Sequence, residues 1–441
     1  MMASNYFTRL FAASMLSLLA NGTNAAELST SEKIFGVSTI WLEGWRNFPD
    51  RARLAHWDED YKQALDAASA APNLKAYYRV LQTFVATLQD GHSFIKLPKG
   101  MYMTASRPAV GITRVAGQAL VTWVRSDLAP DIPLGSVVMQ VDGAPYAEAA
   151  VRAEKAVSAS TSHVRTDKAY GLAMEGEKDS ALTVQIATAE NETRSVQLIR
   201  GQAWPEQATQ LALPTPPQEA VAFKWLIPNR AAYIAVNSFK DNAVYAEFRQ
   251  QLPALKNAKT IVLDLRKNGG GDDAVGYKIL GHFLRKPARG NAATKMVYDP
   301  ELRANGSNAP ATTSGTRTAS LPVDIIKPGP RHEHLAAKLV ILIGHETVSA
   351  AEDFLIAADA VKPVLVGEQT AGSTGQPVRI PLPGGGAAYI LSKLDTWPNG
   401  KPIVGVGIAP AIELAPTIAD VRQGRDGVLD QVQALLLQGK L

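Results

Sequence analysis

Two runs, "IVLDL" at 261–265 and "LVILI" at 339–343, are apolar almost without interruption. A strand with one face in water alternates polar and apolar residues. One that does not alternate must be covered on both faces, as in a parallel sheet with helices on either side. The surrounding chain fits that demand. From residue 220 the segments "AAYIAVNSF", "NAVYAEFRQQLPALKN", "TIVLDLR", "DDAVGYKILGHFL", "KLVILIG", "SAAEDFLIAADA" and "PVLVGE" alternate strand-like and helix-like periodicity. Residues 206–441 are therefore expected to form an α/β core, interrupted by a Gly/Pro/Ser/Thr-rich loop insertion at 286–335.

Upstream the periodicity changes twice. Residues 27–100 carry helical spacing, with Ile34, Val37, Ile40, Trp41 and Trp45 on one face and Tyr77, Val80, Leu81, Phe84, Val85 and Leu88 on another. Residues 101–205 hold short β-like runs ("ALVTWV", "SVVMQVDG", "ALTVQIATA", "TRSVQLIR") and one helical stretch, "YAEAAVRAEKAVSA", which together make a small β-rich domain. The prolines at 205, 214, 216 and 217 mark 202–219 as a linker. At the start, Arg9, the short apolar run Leu10–Ala20 and the small residues Ala25 and Ala26 predict a secretory signal peptide over 1–26. No later run is long and apolar enough to span a bilayer, so no stable membrane span is expected once the signal is cleaved. An exported protein, periplasmic or secreted, is implied. With no cysteine in the chain, disulfides and thiol nucleophiles are excluded. The net charge of +4 is dispersed, with no basic run interleaved with aromatics, which argues against a nucleic-acid partner.

In an open α/β sheet, reactive groups gather at the carboxyl ends of the strands. Two such junctions stand out. "LDLRKNGGGDD" (263–273) ends a buried strand in three glycines, whose N–H groups are free to meet an anion, though its spacing is not that of a P-loop. "LVILIGHETVSAAEDFLIAA" (339–358) ends a strand at Gly344 and opens a helix near Ser349. Ser349 either caps that helix or is a nucleophile at its N-terminus, with the Ala350 N–H and one from Gly269–Gly271 as oxyanion donors. No cluster has metal-ligand spacing. "HEH" at 332–334 stands apart from other ligands and reads as a solvated turn, so neither metal nor cofactor is expected.

Together with "WDEDYKQAL", "LQDGHSFIKLP", "PLGSVVMQVDGAPY", "YIAVNSF", "VGEQTAGSTG" and "GVGIAPAIEL", in this order, these junctions resemble the C-terminal processing (tail-specific) protease family, which includes the tricorn core protease. The resemblance spans roughly 30–435. It implies an α/β fold with a crotonase-like ββα core, an N-terminal helical region and an inserted PDZ-like domain. It also implies a serine endopeptidase that cleaves polypeptides from or near their C-terminal tails, with Ser349 as nucleophile. Ala350 and Gly270 or Gly271 match the family's oxyanion donors. Peptide binding by the PDZ-like domain would fall on Val110, Gly111 and Ile112.

A serine hydroxyl needs a base within hydrogen-bond reach. Many members of this family use a lysine after "GEQT"; here Ser373 stands in that place, and the next lysine is Lys393. Tricorn-like members use a histidine from the helical region, which matches His92 in "DGHS". A neutral imidazole suits that work near neutral pH. His345, four residues before the serine, is the competing base. Two positions depart from the tricorn-like pattern: Gly91 replaces a serine, and Val404 replaces a glutamate before "GIAP". Asp90, Glu352, Glu368 and Ser373 are the candidates to support the histidine instead. The alternative function is a catalytically impaired relative that binds peptides or small ligands, since interphotoreceptor retinoid-binding protein shares the core.

Overall fold

The computed structural model describes residues 28–101, 106–201, 210–212, 219–301 and 315–441; the expected signal peptide lies outside them. Its fold is mixed α/β with a helical N-terminal region and several sheets, as the sequence implies. No helix among the described residues is long and apolar enough to cross a membrane.

Three helices open the chain: α1 (Thr30–Asn47), α2 (Trp57–Ser69) and α3 (Leu74–Ala86). Ser29 and Asn73 cap the first and third through their side chains, which fixes where those helices start. Their apolar faces, with Val37, Ile40, Trp57, Tyr77, Leu81 and Phe84 buried, close over the hairpin Pro377–Leu391, whose Ile380, Ala388 and Ile390 complete that core. Strand β1 (Phe94–Lys96), two residues past His92, pairs with the same hairpin at Ala387–Tyr389. The helical region is therefore built onto the part of the core that follows residue 376.

The central sheet has six strands in the order Ile412–Glu413, Val364–Gly367, Lys338–Ile343, Thr260–Asp264, Ala231–Val236 and Val221–Ile227. All neighbours are parallel except the last pair. Every residue of Thr260–Asp264 is buried, as the unbroken apolar run requires. One face packs against the helices Asn242–Gln250, Asp273–Gly281 and Ala350–Ala358, the other against Gly427–Leu437.

The inserted domain is an antiparallel sheet whose outer strand β2 (Val110–Val115) pairs with β3 (Gln118–Arg125). Two helices cover it, α4 (Tyr146–Ala153) and α5 (Ser162–Leu172). Three sequence expectations change here. Helix α5 is additional: only Ala169 and Tyr170 of "SHVRTDKAYGL" are buried, too few to give a periodic signal. The domain also runs beyond residue 205, because Gln210–Ala212 pairs with Trp123–Arg125 inside the supposed linker. Finally, 286–335 is not a plain loop. Ala292–Tyr298 pairs with Thr316–Leu321 and with Lys393–Thr396, and the two strands' thin apolar content hid the ladder.

Candidate active site

Three adjacent parallel strands, Thr260–Asp264, Lys338–Ile343 and Val364–Gly367, release their chains on one edge of the sheet. The first leads into the glycine turn, the second into Ser349 and the third into Ser373, so segments far apart in sequence converge there. Side chains and backbone stitch the loops together. Thr347, fully buried, donates its hydroxyl to the Leu265 carbonyl, and the Val348 N–H donates to the Asn268 carbonyl.

Ser349 occupies the N-cap position of helix Ala350–Ala358, yet its hydroxyl makes no capping bond. The backbone there is at φ 60°, ψ −129°, a region that costs a non-glycine residue about 1–3 kcal/mol. That conformation speaks against a capping role. It turns the hydroxyl away from the helix N–H groups and toward His92, whose Nε2 lies 3.2 Å from Ser349 Oγ.

His92 is held from both ends of its short turn. Asp90, fully buried, accepts the His92 N–H at 3.1 Å, and the next residue, Ser93, accepts the Leu391 N–H at 3.0 Å. The imidazole Nδ1 lies 2.9 Å from Ser373 Oγ. With Nε2 free to accept from Ser349, Nδ1 carries the proton and the Ser373 oxygen accepts it. Burial pushes the His92 pKa down; Asp90 opposes this, while Lys168 and Lys393 add to it. The net effect favours the neutral ring.

Ser373 fills the space left by the missing side chain at Gly91. A Cβ on Gly91 would fall 2.5 Å from Ser373 Oγ. Ser373 also accepts the Ser349 N–H on its carbonyl at 2.8 Å. Its loop is fixed by Glu352, one turn along the helix from Ser349 and fully buried. One carboxylate oxygen accepts the Thr370 hydroxyl and the Gly372 N–H, and the other accepts the Ser373 N–H, both amides at 2.8 Å. Burial raises the Glu352 pKa to about 7, against the lowering effect of those bonds.

The glycine turn lies against Ser349. A Cβ on Gly270, at φ +92°, would sit 2.7 Å from Ser349 Cβ and 3.0 Å from the Ala350 nitrogen. The Gly270 N–H itself donates to Asn268 Oδ1 at 2.9 Å. The other expected groups sort clearly. His345 is not turned to Ser349: its Nδ1 is 2.5 Å from Asp167 Oδ2 and its Nε2 3.9 Å from Glu368. Burial lowers its pKa, but Asp167 and Glu368 more than offset this and hold it above the usual value. Glu368 therefore belongs with His345 and not with His92. Lys393 pairs with Asp395 at 3.1 Å; burial lowers its pKa, the carboxylates raise it more, and it stays an ammonium.

Compared with known proteins, residues 230–414 match the sequence model of peptidase family S41. That stretch of the core is similar to S41 peptidases. No curated protein sequence matches the chain. Among solved structures, mature CPAF is similar over 93% of this chain and 97% of its own, at 15% identity and a TM-score of 0.72. Mature CPAF complexed with lactacystin is similar at 15% identity and 0.71, covering 93% of this chain and 98% of that one. A protein from Parabacteroides merdae ATCC 43184 follows at 16% identity and 0.53, with 93% and 97% covered. These likenesses show a shared fold. The family match and that fold support a serine peptidase, a hydrolase acting on polypeptides.

Outside the stretch matched by the family model, β2 is the outer strand of its sheet and α5 lies beside it, joined by the Arg114–Asp167 ion pair at 3.0 Å. Val110 and Gly111 are buried, and the Trp123 indole takes the space a Gly111 side chain would need; Ile112 is half-buried. Val404 packs on the apolar core and brings no carboxylate. Sequence reading missed Asn268 and Thr370, whose signal was only that buried loops of this kind need side-chain partners for their backbone.

Proposed function

We propose that the protein is an exported, tricorn-like serine endopeptidase in which Ser349 is the nucleophile and His92 its base and then acid. The 3.2 Å approach of His92 Nε2 to Ser349 Oγ carries this reading. As Ser349 Oγ attacks a peptide carbonyl, its proton passes to Nε2. The developing oxyanion meets the Ala350 and Gly271 N–H groups, at a helix N-terminus whose dipole favours negative charge. The imidazolium then protonates the leaving amine, and the same base activates water to release the acyl group. Ser373 Oγ fixes the tautomer by accepting from Nδ1. A hydroxyl steadies the imidazolium less than a carboxylate would, and Asp90 supplies the nearby negative charge that the ring lacks at Nδ1.

Two expectations follow from this arrangement. Ser373→Ala frees Nδ1 and should lower turnover about a hundredfold while leaving Ser349 the acylated residue, as read by active-site titration. The rate should rise with pH along a limb whose apparent pKa lies below the ordinary 6.5, because a depressed base keeps its neutral form to lower pH; pre-steady-state acylation from acid to neutral pH reads it.

Export and cleavage near C-terminal tails rest on the family resemblance and on the apolar run near the N-terminus. Digestion of an unfolded polypeptide, with product termini mapped by mass spectrometry, tests the reading. Cuts made by the wild type and absent with Ser349→Ala support an endopeptidase, and clustering within the last residues supports tail cleavage. Equal cutting by both proteins would reject Ser349.

A further inference from the structure

The residues that hold His92 and Ser373 in place do not all come from the helical region or the α/β core. Four consecutive residues of the inserted domain, Ser160-Thr161-Ser162-His163 at the start of α5, run between the two active-site segments. Ser160 and Thr161 are buried. On one side, Ser160 Oγ accepts the Gly91 N–H at 2.9 Å and donates to Asp90 Oδ1 at 3.2 Å, so it holds both residues that precede His92. On the other side, Thr161 Oγ1 donates to the Ala371 carbonyl at 3.1 Å, and His163 Nε2–H donates to the Thr370 carbonyl at 3.0 Å. These bonds grip the outside of the loop whose inside is bound by Glu352 and which presents Ser373. The Thr161 methyl also lies where a Gly372 side chain would be, 2.7 Å from a Cβ built there.

We infer that Ser160, Thr161 and His163 are positioning residues of the reaction, a clamp through which the inserted domain sets the distance between His92, Ser373 and Ser349. This rests on the assignment of Ser349 and His92 made above. Removing the clamp leaves every catalytic group present but loosens two turns that meet at one imidazole. A shift of a fraction of an ångström at Nε2 suffices to slow proton transfer, so the effect falls on the chemical step and not on ligand affinity.

The test compares the full chain with Ser160→Ala, with the isosteric Thr161→Val, and with Val151→Ala on the exposed face of α4 as a control. Acylation by a fluorophosphonate is followed to saturation. Ser160→Ala and Thr161→Val should each lower kinact about tenfold with KI unchanged, and Val151→Ala should change neither. Thr161→Val should cost less in a Ser373→Ala background than in wild type, and Ser160→Ala less in an Asp90→Asn background, since each acts in part through that neighbour. Losses that multiply undiminished in those backgrounds, or an unchanged kinact, overturn the clamp. An NMR titration of the His92 ring reads positioning without turnover. Looser packing hydrates the ring and weakens the burial that depresses it, so its pKa should move up toward 6.5 in Ser160→Ala. An unmoved titration in an acylating enzyme refutes the clamp alone; a moved titration in a chain that never acylates refutes the Ser349 assignment alone.

Discussion

His92→Ala is expected to slow acylation of Ser349 on the order of 10⁴-fold, the loss typical of removing the base from a serine-centred site. Among the described residues no second base stands ready to rescue it. His345 is engaged by Asp167 and Glu368, and Lys393 is held as an ammonium by Asp395. The residual rate should come from the oxyanion donors and from substrate positioning, which the substitution leaves in place. Its pH dependence should also change form: the limb set by the imidazole should vanish, leaving a rate that climbs with hydroxide. Stopped-flow acylation with an activated ester, across acid to alkaline pH, reads both effects.

Glu352→Ala is the second large effect, and it acts on stability and activity together. The carboxylate accepts the Gly372 and Ser373 N–H groups and the Thr370 hydroxyl in a site closed to solvent. Removing it strands those donors, at a net cost of about 3 kcal/mol once the relief of no longer burying a carboxyl is counted. The freed loop carries both the Ser373 hydroxyl on His92 and the carbonyl that anchors the Ser349 N–H, so turnover should fall about a hundredfold as well. Glu352→Gln separates charge from shape. In the folded chain Glu352 binds its proton up to about pH 7, well above the ordinary 4.5, so its contribution to stability is full below 4.5 and declines as pH rises through 7. Wild type should therefore lose stability relative to Glu352→Gln over that window, as followed by urea unfolding at several pH values.

How much of this could be read from the chain depends on the range of the interaction. The parallel sheet was legible because "IVLDL" and "LVILI" leave no polar face, and the two strand-to-helix turns followed from Gly269–Gly271 and Ser349. Ser349 and His92 were legible through motif order, although nothing local says that positions 257 residues apart meet. Ser373 was visible as a missing lysine and as one of four candidates to support the histidine. Its bond to Nδ1 depends on Gly91 leaving a gap, a complementarity between two loops that no periodicity records. Glu352 was a candidate partner for the histidine, but its hold on the 370–373 loop was not legible, because its burial is set by that loop folding back over it. The choice between Gly270 and Gly271 was open in the sequence for a similar reason: that Asn268, two residues earlier, takes the Gly270 N–H is a side-chain contact no motif records. Helix α5 carried least signal of all, since it is held by polar contacts to other segments and not by an apolar stripe.

The most direct test of the central assignment is fluorophosphonate labelling of the intact protein with the modified residue located by mass spectrometry. Wild type should label on Ser349 alone and Ser349→Ala not at all. His92→Ala should label on the order of 10⁴-fold more slowly, while His345→Ala keeps a rate within about tenfold of wild type. Labelling that survives His92→Ala and disappears with His345→Ala would contradict the assignment of the base, and a folded wild type that never labels would contradict the assignment of the nucleophile.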